Sequence, residues 1–413
     1  MTGAMYSAVA GLKAHMSALN VIGNNISNVN TNAYKATRYT FLESLYASVR
    51  GGSNGSNTVG GKNPAQNGFG ASIGTIDLDM STKNYTPTGI NGDCMINGNG
   101  FFIAGDKNKV IQNSNDLKDM YLTRHGDLKF DNAGYLVDGM GKVIYGFLCT
   151  QGREQVMVDD PANPGQQIPK EPEEWQDSYT GQPILTSLRL PMMATQACAV
   201  TTDETTGEQK IITMAEYEEE LAAATTPEDK AAVQNKYSLK EKGDAIYPAF
   251  DANGNLKDAN DAKFVGQDRV VCDSISIDEK TGRVSCVTTN QEIVVVGYIA
   301  IAKVDNPNGV THSDGRYYQA LDGAGNVYAS TIGGSVQNSP NDEDGNPVRI
   351  PGEYEGILNA GNTTLISGGL ESSGTDLATE VSNMVMIQRG YQANTRIVTV
   401  TDSMLEELVN MKR

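Results

Sequence analysis

The sequence predicts a mainly β protein bracketed by two terminal α-helices, and three observations carry that expectation. Near the start, Met5, Val9, Leu12, Met16, Leu19, Ile22, Ile26 and Val29 recur at steps of three and four. Near the end, Met384, Ile387, Tyr391, Asn394, Val398, Thr401, Leu405 and Leu408 do the same. Such narrow stripes mark helices that bury one face against another helix, either each other or copies from other subunits. Between them, most of the 44 glycines lie among Asn and Asp, the signature of many turns and short strands.

Taken in order, residues 2–30 read as a helix whose end is marked by Asn24, Asn25 and Asn28, since Asn competes for backbone hydrogen bonds. Residues 36–70 read as a linker arm, most clearly over 50–70, where Gly, Asn and Ser dominate. From about 71 the period becomes two, and strands are expected at 101–104, 121–130, 135–138, 143–149, 184–190, 271–277, 283–287, 293–304, 317–321 and 326–330. Asp-x-x-Gly recurs at Asp131–Gly134, Asp251–Gly254, Asp322–Gly325 and Asp342–Gly345, where Asp closes a turn and Gly supplies the positive φ. Asn97-Gly98-Asn99-Gly100 reads as a tight turn. An acidic segment over 192–270 interrupts the β pattern; its residues 214–235 form helices broken at Thr225-Thr226-Pro227. Thr375-Asp376 caps a last helix running to about 411, with Gly390 as its weak point. Four domains are therefore expected: 1–35 with 375–413, the arm 36–70, a β-rich region 71–191 with 271–374, and the insertion 192–270.

Composition excludes several function classes. With 32 basic against 50 acidic residues the net charge is −18, and no basic tract exists to meet nucleic acid. No apolar run reaches the length of a membrane span, so no membrane insertion is expected, and no cleavable signal is evident. The three histidines, His15, His125 and His312, stand apart, and no metal-ligand spacing or nucleophile motif accompanies them. No catalytic residue, cofactor or metal is therefore assigned. Among the five cysteines, Cys272 and Cys286 flank a hairpin; if Asp278 faces Arg283, Cys286 falls opposite Ile275, and a disulfide with Cys272 would need a register shift. Buried thiols are the expectation. The sixteen stripe residues are the candidate polymer interface, against the plainer reading of a helical hairpin within one chain. Asn394 and Thr401 are its candidate register-setting positions.

The run SAVAGLKAHMSALNVIGNNISNVNTNAYK (7–35) resembles the N-terminal signature of bacterial flagellar axial proteins of the rod and hook class. The run 370–413 resembles its C-terminal partner, and 96–105, 121–147 and 300–320 are similar to the family's β domain. Within the family, the insertion at 192–270, QRGYQAN (388–394) and the ending LEELVNMKR look like the hook branch rather than the distal rod. The resemblance implies a subunit exported unfolded through the flagellar type III apparatus, without a cleaved signal, that ends up outside the cell. Its helical ends would order on joining a hollow homopolymer and form a coiled-coil-like core, with the antiparallel β domain and the insertion outside. Implied partners are the hook cap protein, the distal rod protein and the hook–filament junction proteins. Five cysteines are unusual for such proteins, and Met5 or Tyr6 stands where an export-signal Phe is expected. A wall hydrolase or a surface adhesin are the competing classes.

Overall fold

The structure, a computed structural model, describes residues 2–55, 60–107, 109, 111–155, 157–159, 167–169, 175–202, 209–250, 256–257, 265–289, 291–313, 315–339 and 352–411. The fold is mostly β with a helix at each end, and it divides into two compact units: Met1–Lys83 with Ser372–Arg413, and Asn84–Glu371.

In the first unit the N-terminal helix spans Thr2–Ser27 and the C-terminal helix Leu377–Met411. The first ends three residues short of expectation. Asn28 turns its side chain onto the Asn24 carbonyl at 2.9 Å, and Ala33 adopts φ 57°, the local competition for which Asn is suited. The last helix starts as expected, Asp376 accepting the Ala378 N–H at 3.1 Å. The two helices run antiparallel in one chain: Gly11 faces Asn394, His15 faces Gly390, and Asn25 reaches Glu380.

The expected linker over 36–70 is instead most of a long antiparallel ribbon. Strands β1 (Thr37–Glu43) and β2 (Tyr46–Arg50) run out; β3 (Ala65–Gly68) and β4 (Ala71–Leu78) return. β1 pairs with β4 from Thr37↔Leu78 to Glu43↔Ala71, β2 pairs with β3, and Ser53 bridges to Lys62. Composition suggested flexibility, but alternation gives the ribbon an apolar side. Tyr39 and Ile73 join Ala18, Ile22, Ile387 and Met384 in one cluster, and Phe41 meets the His15 ring edge-on at 5.5 Å. At Gly70 (φ 96°) the ribbon passes so close to the N-terminal helix that a Cβ would lie 2.8 Å from the Ser7 carbonyl oxygen. The expected β domain at 71 thus begins later, because 71–78 is the ribbon's returning strand.

The second unit is built on one mostly antiparallel sheet. Its neighbours run Cys272–Ile277, Arg283–Thr288, Ile293–Val304, Val143–Gln155, Phe101–Gly105, Tyr121–Thr123, Tyr317–Gln319 and Thr311–His312. Phe102, Ile144, Leu148, Leu188, Val296 and Ile301 fill its core. The strand expected over 121–130 breaks after Thr123, and a short strand Lys129–Phe130 follows. Asp131 closes its turn as expected, accepting N–H bonds from Ala133 and Tyr135 while Gly134 takes φ 77°. Asp322–Gly325 forms a 3-10 turn with Gly325 at φ 79°; the turns at 251–254 and 342–345 lie outside the described residues. The segment 192–270 is more β-rich than its composition suggested. Two three-stranded sheets carry it, centred on Met192–Ala194 and Cys198–Thr202. The two expected helices, Met214–Ala223 and Pro227–Lys236, each start with a capping box, at Thr213 and Thr226.

Candidate polymer interface

Within the single chain, much of the expected interface is the seam between the chain's own helices. On the C-terminal helix Ile387 and Thr401 are buried, and Met384, Tyr391, Asn394, Val398 and Leu405 are half-buried. Only Leu408 is exposed there, at 44%. Thr401 satisfies its hydroxyl by donating to the Ile397 carbonyl at 2.7 Å. On the N-terminal helix the stripe chosen by size is rotated from the true inward face. Ile22 is buried and Val9, Leu12, Leu19, Ile26 and Val29 are half-buried, but Met5 and Met16 are exposed, Met16 at 53%. The inward face is lined by Ala8, Ala14, Ala18, Val21, Ile22 and Asn25. Small side chains let another backbone approach, and they carry no strong hydropathy signal.

Asn25, read from sequence as a helix-fraying residue, is the hub of this unit. Its buried amide donates to the Thr37 carbonyl at 2.8 Å and to Glu380 at 2.9 Å, and accepts from the Tyr34 hydroxyl and the Thr37 N–H at 3.0 Å each. Every polar position of the side chain is used, which fixes the ribbon's root against both helices.

What remains outward is a second apolar stripe. Ile397, Val400, Met404, Leu408 and Met411 are all exposed. Their steps of three and four residues put them on one flank of the C-terminal helix, roughly 100° around from the seam. The ribbon adds exposed Leu42, Leu45, Tyr46, Val49 and Phe69. Among the described residues, twenty of the 28 exposed large hydrophobic side chains belong to this first, smaller unit. Concentrated apolar surface of this kind marks a site of association.

The second unit holds the strongest polar constellation. Arg124, almost fully buried, donates to the carbonyls of Ile96 at 3.2 Å and Gly98 at 2.7 Å, and stands 3.6 Å from Glu371. Next to it the His125 ring meets Asp127 at 2.6 Å, Arg316 reaches the other oxygen of Asp127 at 3.2 Å, and Gly139 N–H donates to that carboxylate at 3.1 Å. Burial pushes the Asp127 carboxyl up, but the His125 contact, the Gly139 N–H and Arg316 outweigh it and hold the group below the usual range. Tyr317 donates to Asp138 at 2.5 Å, and burial plus that carboxylate push its phenol well up. Arg124 with Glu371, Arg316 with Asp127 and Tyr317 with Asp138 join segments far apart in the chain. Sequence could not join residues so far apart. Among the described residues no three His, Cys, Asp or Glu side chains converge to hold a metal ion, and no helix is long and apolar enough to cross a membrane.

Comparison with known proteins bears on both ends and on the whole chain. Residues 5–35 match the family described as "Flagella basal body rod protein", and residues 366–411 match "Flagellar basal body rod FlgEFG protein C-terminal". Over its full length the chain is 26% identical to the flagellar basal-body rod protein FlgG of Bacillus subtilis, also across that protein's full length. It is 24% identical to the flagellar hook protein FlgE of Treponema pallidum, again with both chains fully covered. The similarity rises to 31% with the hook protein FlgE of Helicobacter mustelae, over 39% of this chain and 34% of that one.

Proposed function

The chain is a member of the flagellar rod and hook axial proteins, and from that premise we propose that it is the structural subunit of the hook. In this reading it polymerises into a hollow curved tube, a flexible joint that transmits torque from rod to filament. It is exported unfolded by the flagellar type III apparatus, assembles outside the cell beneath a hook cap protein, and meets the distal rod protein below and the hook–filament junction proteins above. The observation that carries the proposal is the uncovered flank of the C-terminal helix, Ile397, Val400, Met404, Leu408 and Met411, together with the exposed apolar residues of the ribbon. A copy of the same unit is the partner that would cover such a surface repeatedly along a tube. Asn394 and Thr401, already committed to the seam within the chain, would then set the shape each subunit presents.

The hook reading is supported by the extra segment over 192–270 and by full-length similarity to a hook protein. The distal rod is the second reading, and the full-length similarity to a rod protein favours it. Expression of the chain in its own host lacking the corresponding gene, with electron microscopy of isolated basal bodies, separates the two. The hook reading expects complete rods without hooks in the deletion strain and restored curved tubes on complementation. Rods that stop short in the deletion strain would assign the chain to the rod instead.

A further inference from the structure

The hairpin joining Cys272–Ile277 to Arg283–Thr288 turns as the sequence predicts, with Asp278 bonded to Arg283 and Cys286 opposite Ile275. An unbroken register would continue this pairing to Ser274↔Val287 and Asp273↔Thr288, leaving Cys272 on the face opposite to Cys286. The structure breaks the register there: a bulge at Asp273 pairs Cys272 with Thr288. One extra residue rotates a side chain to the other face of a strand, so Cys272 now shares a face with Cys286. Cys286 lies in the core of the second unit, and Cys272, half-buried, packs against that same cluster. The Cys272 thiol donates to the Ser274 carbonyl at 3.4 Å.

We propose that Cys272 and Cys286 form an intramolecular disulfide, made when the folded chain meets a low-molecular-weight disulfide oxidant such as glutathione disulfide. The setting rests on the reading that the chain works outside the cell, where such bonds persist. The chemistry has an order. The neighbouring Cys286 thiol favours thiolate on Cys272, despite partial burial, and the Cys286 thiol is itself pushed up by Cys272 and by burial. Cys272 is also the more accessible of the two. Its thiolate attacks one sulfur of glutathione disulfide and expels glutathione thiolate, leaving a mixed disulfide. Cys286 then loses its proton to solvent and attacks the Cys272 sulfur, expelling the second glutathione. Two protein thiols are oxidised and one glutathione disulfide is reduced to two glutathiones. Diagonal partners stand farther apart than a disulfide spans, so closing the bond draws the Cys272 end of the strand inward. Cys272 is the strand's first residue, and Val271 before it is exposed.

The purified full-length chain, reduced and then incubated with glutathione disulfide, provides the test by mass spectrometry and thermal unfolding. The expected product is a monomer lighter by two hydrogen atoms, with a Cys272–Cys286 cross-linked peptide and with Cys94, Cys149 and Cys198 still free to alkylate after unfolding. Its unfolding midpoint should rise by about 5 °C, reversibly with dithiothreitol, and both C272S and C286A should abolish the mass change. A stable glutathione adduct on Cys272 in the unmutated chain, a dimer linked through Cys272, or two thiols that stay reduced would each overturn the proposal. None of these outcomes depends on hook assembly, so the disulfide and the functional reading fail separately.

Discussion

Replacing Gly390 by Ala should destabilise the first unit, although the same change stabilises most helices. Gly390 lies well inside the C-terminal helix, where Ala is favoured by roughly 1 kcal/mol on intrinsic propensity alone. Here a Cβ would stand 2.8 Å from His15 Cε1 and 2.9 Å from Nε2, inside van der Waals contact with a rigid ring. The ring's room to yield is limited by Phe41, which packs on it edge-to-face at 5.5 Å. Overpacking of this kind costs roughly 1–3 kcal/mol, which exceeds the propensity gain. The net expectation is a loss of about 1 kcal/mol, or roughly 4 °C in the midpoint of the helical signal for a unit of this size. The assay is thermal unfolding of the full chain followed by far-ultraviolet circular dichroism, in the native background and in H15A. With the ring removed the clash vanishes, so Gly390→Ala should stabilise the H15A protein by about 1 kcal/mol. Stabilisation by G390A in both backgrounds would refute the idea that Gly390 exists to admit His15.

Three further outcomes follow from the same contacts. Asn25→Ala should cost roughly 2 kcal/mol, read as a fall in denaturant midpoint, since it strands the Thr37 and Glu380 groups its amide satisfies. Arg124→Met should cost roughly 3–5 kcal/mol in the second unit, because it removes the buried charge facing Glu371 and the side-chain donor to the Ile96 and Gly98 carbonyls. Burial pushes the Asp79 carboxyl up, but hydrogen bonds from Lys83 and Ser81 prevail and hold it at about 2. Because the folded value lies below the unfolded one of about 3.9, the stabilisation is complete above pH 4 and disappears as pH falls towards 2. Asp79→Asn should remove that part of the acid-unfolding profile, measured between pH 5 and 2, and leave the neutral-pH slope unchanged.

The helical ends were legible in the sequence because periodic large apolar residues need little context to interpret. The C-terminal stripe met the true seam for that reason, from Met384 through Leu405. The N-terminal seam was missed in part because Ala8, Ala14 and Ala18 are selected for smallness, which hydropathy does not register. Gly390, a blemish by propensity, is a contact residue for the same reason. The ribbon was hidden by its Gly- and Asn-rich outer half; the informative signal was the alternation at Tyr39 and Phe41. Register logic placed Cys286 opposite Ile275 correctly, yet a one-residue bulge reversed its consequence for Cys272. No local pattern announces a bulge at Asp273, and none connects His125 to Arg316 or Asn25 to Glu380, since those pairings exist only once the chain has folded.

The central claim is that the exposed flank of the C-terminal helix joins subunits, and assembly of a charged-flank variant tests it most directly. Val400→Glu combined with Met404→Glu alters two exposed positions, so the fold should lose no more than about 0.5 kcal/mol per site. Concentrated wild-type protein, and cells carrying each gene, are compared by sedimentation and electron microscopy. Wild-type protein should form tubes, and the variant should stay monomeric, with native circular dichroism and no hook on the cell. A folded variant that still builds tubes at wild-type concentrations would contradict it.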